Sequence, residues 1–238
     1  MPRVQYLKPI NILDGRDYRP ERMAIVDAIA DLFIVAGLET WPPVADFGCW
    51  RHPQFIDGRG YMVPYLSVTW YIEQARESTR RRLNAQRLVA AFRNEPWRRK
   101  DALGDHYDIL VVDEPIFDPA EEEHFGLRTT PGYAVSGIAA ILSTHQIDTL
   151  DRVGYSLLKT LALRELAHAF GAPTLRSEDL EVTPRLACTN PCLLGPCLHV
   201  PDDLERLTDR RLAGPPFCDL CLADLRANLA PNSESGLS

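Results

Sequence analysis

The pattern of apolar and polar positions along the chain predicts alternating strands and helices. Residues 4–13 alternate apolar and polar side chains as a strand does, whereas apolar residues recur at helical spacing over 19–36. Residues 108–113 form a short β-branched run typical of a buried strand. Residues 133–143 also resemble strand material, with a bulge or turn at Gly137. Strands separated by helices predict an α/β sandwich with a mainly parallel sheet.

Two further helices are predicted, and the second has the clearer pattern. Residues 67–92 predict one long helix with a basic polar face, which we expect to be solvated and to form pairs four residues apart. An acidic partner or a nucleic acid is the alternative for this face. Residues 151–170 form the strongest helix of the chain, and Gly171 and Pro173 end it.

Composition narrows the classes of protein to which the chain can belong. With 238 residues, 45% of them hydrophobic, the chain can bury a sizeable core. The 26 basic and 33 acidic residues give a net charge of −7, which argues against nucleic acid as the main partner. No apolar run approaches a membrane span and no secretory signal is visible, so we expect no membrane partner and a cytoplasmic location. We predict a single domain over 1–230 and a flexible tail over 231–238.

Five of the six cysteines lie within one C-terminal window, and such clustering in a reducing compartment indicates metal binding. Cys192 and Cys197 form one close pair, and Cys218 and Cys221 form a second pair after 20 further residues. Four thiolates in two pairs predict a closed, tetrahedral structural zinc site. Disulfides and inert buried thiols are alternatives. Cys188 could replace Cys192, and His199 could compete with a thiolate for the metal.

The end of the strongest helix partly matches the zincin pattern HExxHxxGxxH. Glu165, His168 and Gly171 occupy three of its five informative places, but Arg164 and Thr174 stand where the first and third histidines belong. In that pattern two imidazoles one turn apart chelate zinc and the glutamate polarises the bound water. An arginine stays protonated and cannot bind a cation, and threonine is at best a weak ligand.

Together these residues resemble the archaemetzincins, a family of metzincin-type zinc metalloproteases. The family signature continues from HExxHxxGxxH into a cysteine, four residues, a second cysteine, a methionine two places on, and then CxxC. The cysteine part matches Cys192, Cys197, Cys218 and Cys221 almost residue for residue. The chain departs from the signature by an additional segment, residues 175–191, and by His199 in the place of the methionine.

The resemblance implies a metzincin-like sandwich with an active-site helix and a small zinc-binding part at about 186–225. It implies that Glu165 is the catalytic glutamate and that His168 is a remnant catalytic zinc ligand. Arg164 either pairs with a nearby acid or binds the carboxylate of a ligand. The implied function is that of a metalloprotease homologue with one structural zinc, impaired or inactive in catalysis, which binds a peptide or protein in its cleft.

Two other functions stay open. The chain could be an active zinc metallopeptidase with Glu165 as general base and unconventional ligands beside His168. Residues elsewhere would then supply the missing ligands: Glu178, Asp179, Glu181, His145 or His199. Alternatively, the cysteine pairs and the basic helix form an interaction module.

Overall fold

The computed structural model describes residues 8–16, 18–39, 41–49, 67–95, 106–174, 180–182, 186–196 and 202–229. The strands in these ranges are β1 (Ile10–Asp14), β2 (Val44–Gly48), β3 (Leu83–Asn84), β4 (Tyr107–Val112), β5 (Ile116–Phe117), β6 (Gly132–Val135), β7 (Ala139–Ser143), β8 (Leu180–Val182) and β9 (Leu186–Cys188). The helices are α1 (Arg19–Val35), α2 (Val68–Ala75), α3 (Ala85–Arg93), α4 (Pro119–Phe125), α5 (Arg152–Ala169), α6 (Asp202–Ala213) and α7 (Asp219–Leu229). Among the residues described, no helix combines the length and apolar character needed to cross a membrane. Residues 4–7 of the first predicted strand and the predicted tail over 231–238 lie outside these ranges.

A five-stranded sheet in the order β2-β1-β4-β7-β6 forms the centre of the fold. The first four strands are parallel, and β6 runs antiparallel to β7 at one edge. Ile12 of β1 lies opposite Ile109 of β4, which lies opposite Ala140 of β7. The predicted α/β fold with a mainly parallel sheet is therefore confirmed.

Helices cover both faces of this sheet, because the side chains of β4 are apolar on both faces. Ile109 and Val111 belong to the core beneath α1 and α5, which also contains Phe33. Leu110 and Val112 belong to a second core beneath α2 and α3. A strand buried on both faces needs apolar residues at every position, which explains the continuous run in its sequence.

The predicted single helix over 67–92 is wrong, because the chain leaves the helical conformation after Ala75. Arg76 is extended, with φ −65° and ψ 128°. A new helix, α3, begins after Asn84, whose side chain accepts a hydrogen bond from the backbone N–H of Arg87 at 3.0 Å. Between the two helices, Arg82 is buried and donates to Glu77 at 2.6 Å. Apolar spacing alone does not reveal such a capping residue or a buried ion pair.

The basic residues of this region pair with distant acidic residues rather than with neighbours on one helix. Arg76 pairs with Glu114. Arg80 and Arg82 both bind Glu122, at 3.1 and 2.6 Å. Glu122 lies on α4. The expected pairs four residues apart are therefore wrong for these three residues, whereas Arg76 and Arg80 are exposed as expected and only Arg82 is buried.

Glu21 of α1 is a buried carboxylate with a pH-dependent effect on stability. Arg16 and Thr149 donate hydrogen bonds to its Oε1. Burial raises the pKa of Glu21 above its ordinary value of 4.5, and the charge of Asp14 raises it further. The folded state therefore retains a proton that the unfolded chain releases. The free energy of unfolding should consequently fall as the pH rises from about 4.5 through the folded-state pKa.

We expect Glu21→Gln to remove this contribution to the pH dependence. The unfolding free energy of the wild type, relative to that of the variant, should then decrease as the pH rises above about 4.5, as measured by urea melts. Glu123→Gln, the same change at an exposed site, is the control and should leave the wild-type slope unaltered. Parallel curves for the wild type and Glu21→Gln would contradict the prediction.

Candidate metal centre and cleft

Helix α5 carries the motif that partly matches the zincins, and it lies where the sequence predicted it. Its N-cap Asp151 accepts a hydrogen bond from the backbone N–H of Gly154 at 2.5 Å. The chain turns away after Ala169 at Gly171, whose φ of 85° suits glycine. The last turns of the helix, with Arg164 and Glu165, are buried against the sheet and the C-terminal part.

A cleft with a cavity volume of about 700 Å³ lies beside the end of α5. The edge strand β6 and the turn after it form one wall. The polar residues that line the cavity are Gln86, Asp118, Ser136, Glu165, His168, Thr174 and Asn228. The sequence predictions for Glu165 and His168 thus fall on one cavity, and Gln86, Asp118 and Asn228 are lining residues that no sequence pattern indicated.

The surroundings of Arg164 are those of an ion-paired side chain and not those of a metal ligand. Its guanidinium forms a buried ion pair with the carboxylate of Glu165. It also donates to the backbone carbonyl of Gly195 at 3.3 Å. Arg164 therefore connects the catalytic position of the motif to the turn that follows Cys192.

Thr174, in the place of the third zinc histidine, is held by the C-terminal helix. Its backbone N–H and its hydroxyl donate to the carboxylate of Asp224 on α7, at 2.8 and 3.0 Å. These bonds fix the chain after Gly171 against α7.

Of the residues that could bind a metal together with His168, His145 is distant and the others lie wholly or in part outside the described residues. His145 follows the end of β7, whereas His168 lies near Gly137, which precedes the start of that strand and donates to the carbonyl of Ala169 at 2.8 Å. The five residues of β7 span roughly 16 Å, and this length separates the end near His145 from the end near His168. Glu178, Asp179 and His199 lie outside the described residues, and so does the side chain of Glu181.

The residues of the motif do not fit a catalytic zinc ion. Such sites use three protein ligands and keep a fourth position open. Only His168 offers an imidazole, since Arg164 brings a permanent positive charge and Thr174 is bonded to Asp224.

Four thiols do come together in the C-terminal part. The sulfur atoms of Cys188, Cys192, Cys218 and Cys221 all lie within 4.8 Å of one another, with 3.7 Å between Cys188 and Cys218. The sequence prediction named Cys192, Cys218 and Cys221, with Cys188 as a possible replacement. Cys197, the remaining predicted ligand, lies outside the described residues.

The backbone around these cysteines forms a compact turn. Cys188 ends β9, and its N–H donates to the carbonyl of Leu194 at 2.9 Å. Gly195 donates to the carbonyl of Cys192 at 3.1 Å. Cys218 directly precedes α7, and Cys221 lies in its first turn. The sequence prediction rested on Cys192 and Cys197, and the spacing of three residues between Cys188 and Cys192 is a signal that it did not use.

The donor set of this cluster fits zinc. The thiol of Cys221 donates a hydrogen bond that lowers the pKa of Cys192 to about 6. Burial raises the pKa of Cys188 to about 11, so this thiol gives up its proton only on binding a metal. Thiolates are the forms that bind metal, and four of them at this separation match the tetrahedral coordination of structural zinc.

Comparison with known proteins supports the fold and gives no further detail. No family model matches the sequence, and no curated protein matches it significantly. The crystal structure of archaemetzincin from Methanopyrus kandleri superposes with a TM-score of 0.58 and 19% sequence identity. The match covers 96% of this chain and 98% of that chain. This chain therefore has the fold of an archaemetzincin.

Proposed function

We propose that the chain is a non-hydrolytic homologue of archaemetzincin that binds peptides in its cleft and holds one structural zinc at its four thiols. The observation that carries this proposal is the buried ion pair between Arg164 and Glu165. A general base must be able to polarise or deprotonate the attacking water. Here the carboxylate of Glu165 is engaged by a guanidinium at the position where the motif requires a zinc ligand.

The cleft keeps the shape that suits an extended peptide. Strand β6 is at the edge of the sheet, and Tyr133, Ala134 and Val135 line the cavity. Edge strands bind extended segments by adding them to the sheet. Beside the strand, His168 and Asp118 supply polar groups for side-chain recognition. A peptide is therefore the occupant we propose for this cleft.

The four thiols would serve the fold rather than a reaction. Zinc with four thiolate ligands has no open position for a substrate or a water molecule. Cys188, Cys192 and Cys221 belong to the core that also contains Leu161 of α5. Zinc at these residues would hold β9 and α7 against the helix that forms the floor of the cleft.

The test combines hydrolysis and binding on the full chain loaded with zinc. We expect no zinc-dependent cleavage of a mixed library of fluorogenic peptides, but measurable binding of labelled peptides by fluorescence anisotropy. Ala134→Trp, which fills the cleft beside β6, should weaken binding at least about tenfold, since the lost contacts are worth about 1.4 kcal/mol or more.

Leu150→Trp is the matched control, because Leu150 is 81% exposed and does not line the cleft. It should leave peptide affinity unchanged. Cleavage that requires zinc and disappears in His168→Ala would overturn the proposal in favour of an active metallopeptidase. Equal peptide binding by the wild type and Ala134→Trp would overturn the assignment of the cleft.

A further inference from the structure

A second group of metal-ligating side chains lies on the opposite face of the sheet from α5. Glu95 follows α3, His106 precedes β4, and Asp108 is the second residue of β4. All three are buried, with exposed fractions of 0%, 5% and 0%. None of them matches the zincin pattern or the cysteine pairs, so neither of the sites described above uses them.

The inner atoms of these three side chains converge on one point. Nε2 of His106 lies 3.4 Å from Oδ2 of Asp108 and 4.0 Å from Oε2 of Glu95. One ligand atom from each residue lies within 4.8 Å of the other two. In a tetrahedral site with metal–ligand distances near 2.1 Å, ligand atoms are about 3.4 Å apart. The separation of 3.4 Å equals this value and that of 4.0 Å exceeds it, so Glu95 has to move inward by a few tenths of an ångström to bind the same ion.

Neutral donors hold the outer oxygens of both carboxylates. The hydroxyl of Tyr71 donates to Oε1 of Glu95 within the buried layer. The side-chain amide of Asn11 donates to Oδ1 of Asp108 at 3.3 Å. Hydrogen bonds of this kind orient the ligands of metal sites, because they leave the second oxygen of each carboxylate directed at the ion. Tyr71 is itself fully buried and packs on Phe92 with 4.8 Å between ring centroids.

We propose that Glu95, His106 and Asp108 bind a divalent transition-metal ion, with zinc as the best match to one imidazole and two carboxylates. A dication at this point lies beside two buried carboxylates and balances the charge of both. Because all three ligands are buried and out of reach of a substrate, we assign the ion a role in stability, with the fourth position left to a water molecule. The ion joins the end of α3 to the start of β4.

The experiment counts zinc in the full-length protein. The chain is stripped with a chelator, reloaded with Zn²⁺, separated from free metal and measured by mass spectrometry. We expect about two zinc ions per chain in the wild type: one at the four thiols and one at the triad. Glu95→Gln/Asp108→Asn keeps the size of both side chains and should lose about one zinc ion, whereas His168→Ala should lose none.

Tyr71→Phe keeps all three ligands and removes only the donor to Glu95, so it tests the site even if the double variant does not fold. Its zinc affinity at the triad should fall by about tenfold or more. Cobalt provides a second readout, because Co²⁺ at the triad lacks the thiolate-to-metal charge-transfer absorption that Co²⁺ at the thiols shows. A wild-type content of one zinc, lost entirely in Cys218→Ser/Cys221→Ser, would overturn the proposal. So would a second zinc that disappears in His168→Ala.

Discussion

Cys218→Ser/Cys221→Ser is expected to lower the free energy of unfolding of the zinc-loaded protein by at least about 4 kcal/mol. This value corresponds to a metal present at about one thousand times its dissociation constant, which is modest for structural zinc. Cys221 lies in the main core with α5, so loss of the metal loosens the packing of α7. Thermal melts with and without a strong chelator measure the effect.

Cys49→Ser provides the control for this result. Cys49 is a half-buried free thiol outside the cluster, so its replacement should change the melting temperature little, and its response to the chelator should equal that of the wild type. In the double variant the chelator should have a much smaller effect. A wild-type melting temperature that the chelator leaves unchanged would argue against zinc at the four thiols.

Arg164→Met is expected to destabilise the chain by about 3–5 kcal/mol. The side chains of Arg164 and Glu165 are 6% and 0% exposed, and removal of the guanidinium takes the counter-charge from a buried carboxylate. The bond to the carbonyl of Gly195 is lost as well. Urea unfolding at neutral pH gives the free energy directly.

The double variant Arg164→Met/Glu165→Gln should recover most of this loss, because neither charge then remains in the core. Arg206→Met is the matched control. The side chain of Arg206 is 59% exposed and pairs with Asp203, so its replacement should cost less than about 1 kcal/mol. If the Arg164→Met variant is as stable as Arg206→Met, the pair with Glu165 is not the strong interaction that the proposed function requires.

The sequence predicted those elements whose apolar pattern is complete on its own. Strand β4 and helices α1 and α5 lie within one or two residues of their predicted bounds. The region 67–92 was mispredicted because its boundaries depend on Asn84 as a cap and on the ion pairs of Arg82. Apolar periodicity reports neither a polar cap such as Asn84 nor an ion pair with a residue as distant in sequence as Glu122 is from Arg82.

Only part of the candidate site was predicted, because its other contacts join residues that are distant in sequence. Glu165 and His168 were identified from a local motif, and the structure places both on the cleft. The partner of Thr174, however, is Asp224, fifty residues further on, and no spacing rule links them. Cys188 was named only as a possible replacement, because the backbone turn that brings it to Cys192 depends on a hydrogen bond to Leu194.

The hydrogen bond from Arg164 to the carbonyl of Gly195 means that one side chain contacts both the cleft and the thiol cluster's turn. The same guanidinium contacts Glu165 at the cleft and the turn that begins at Cys192. Under the proposed function, Arg164 is therefore the side chain through which occupancy of the cleft can be coupled to occupancy of the thiol cluster. Such linkage is reciprocal: any factor by which zinc changes the affinity for a peptide is also the factor by which that peptide changes the affinity for zinc.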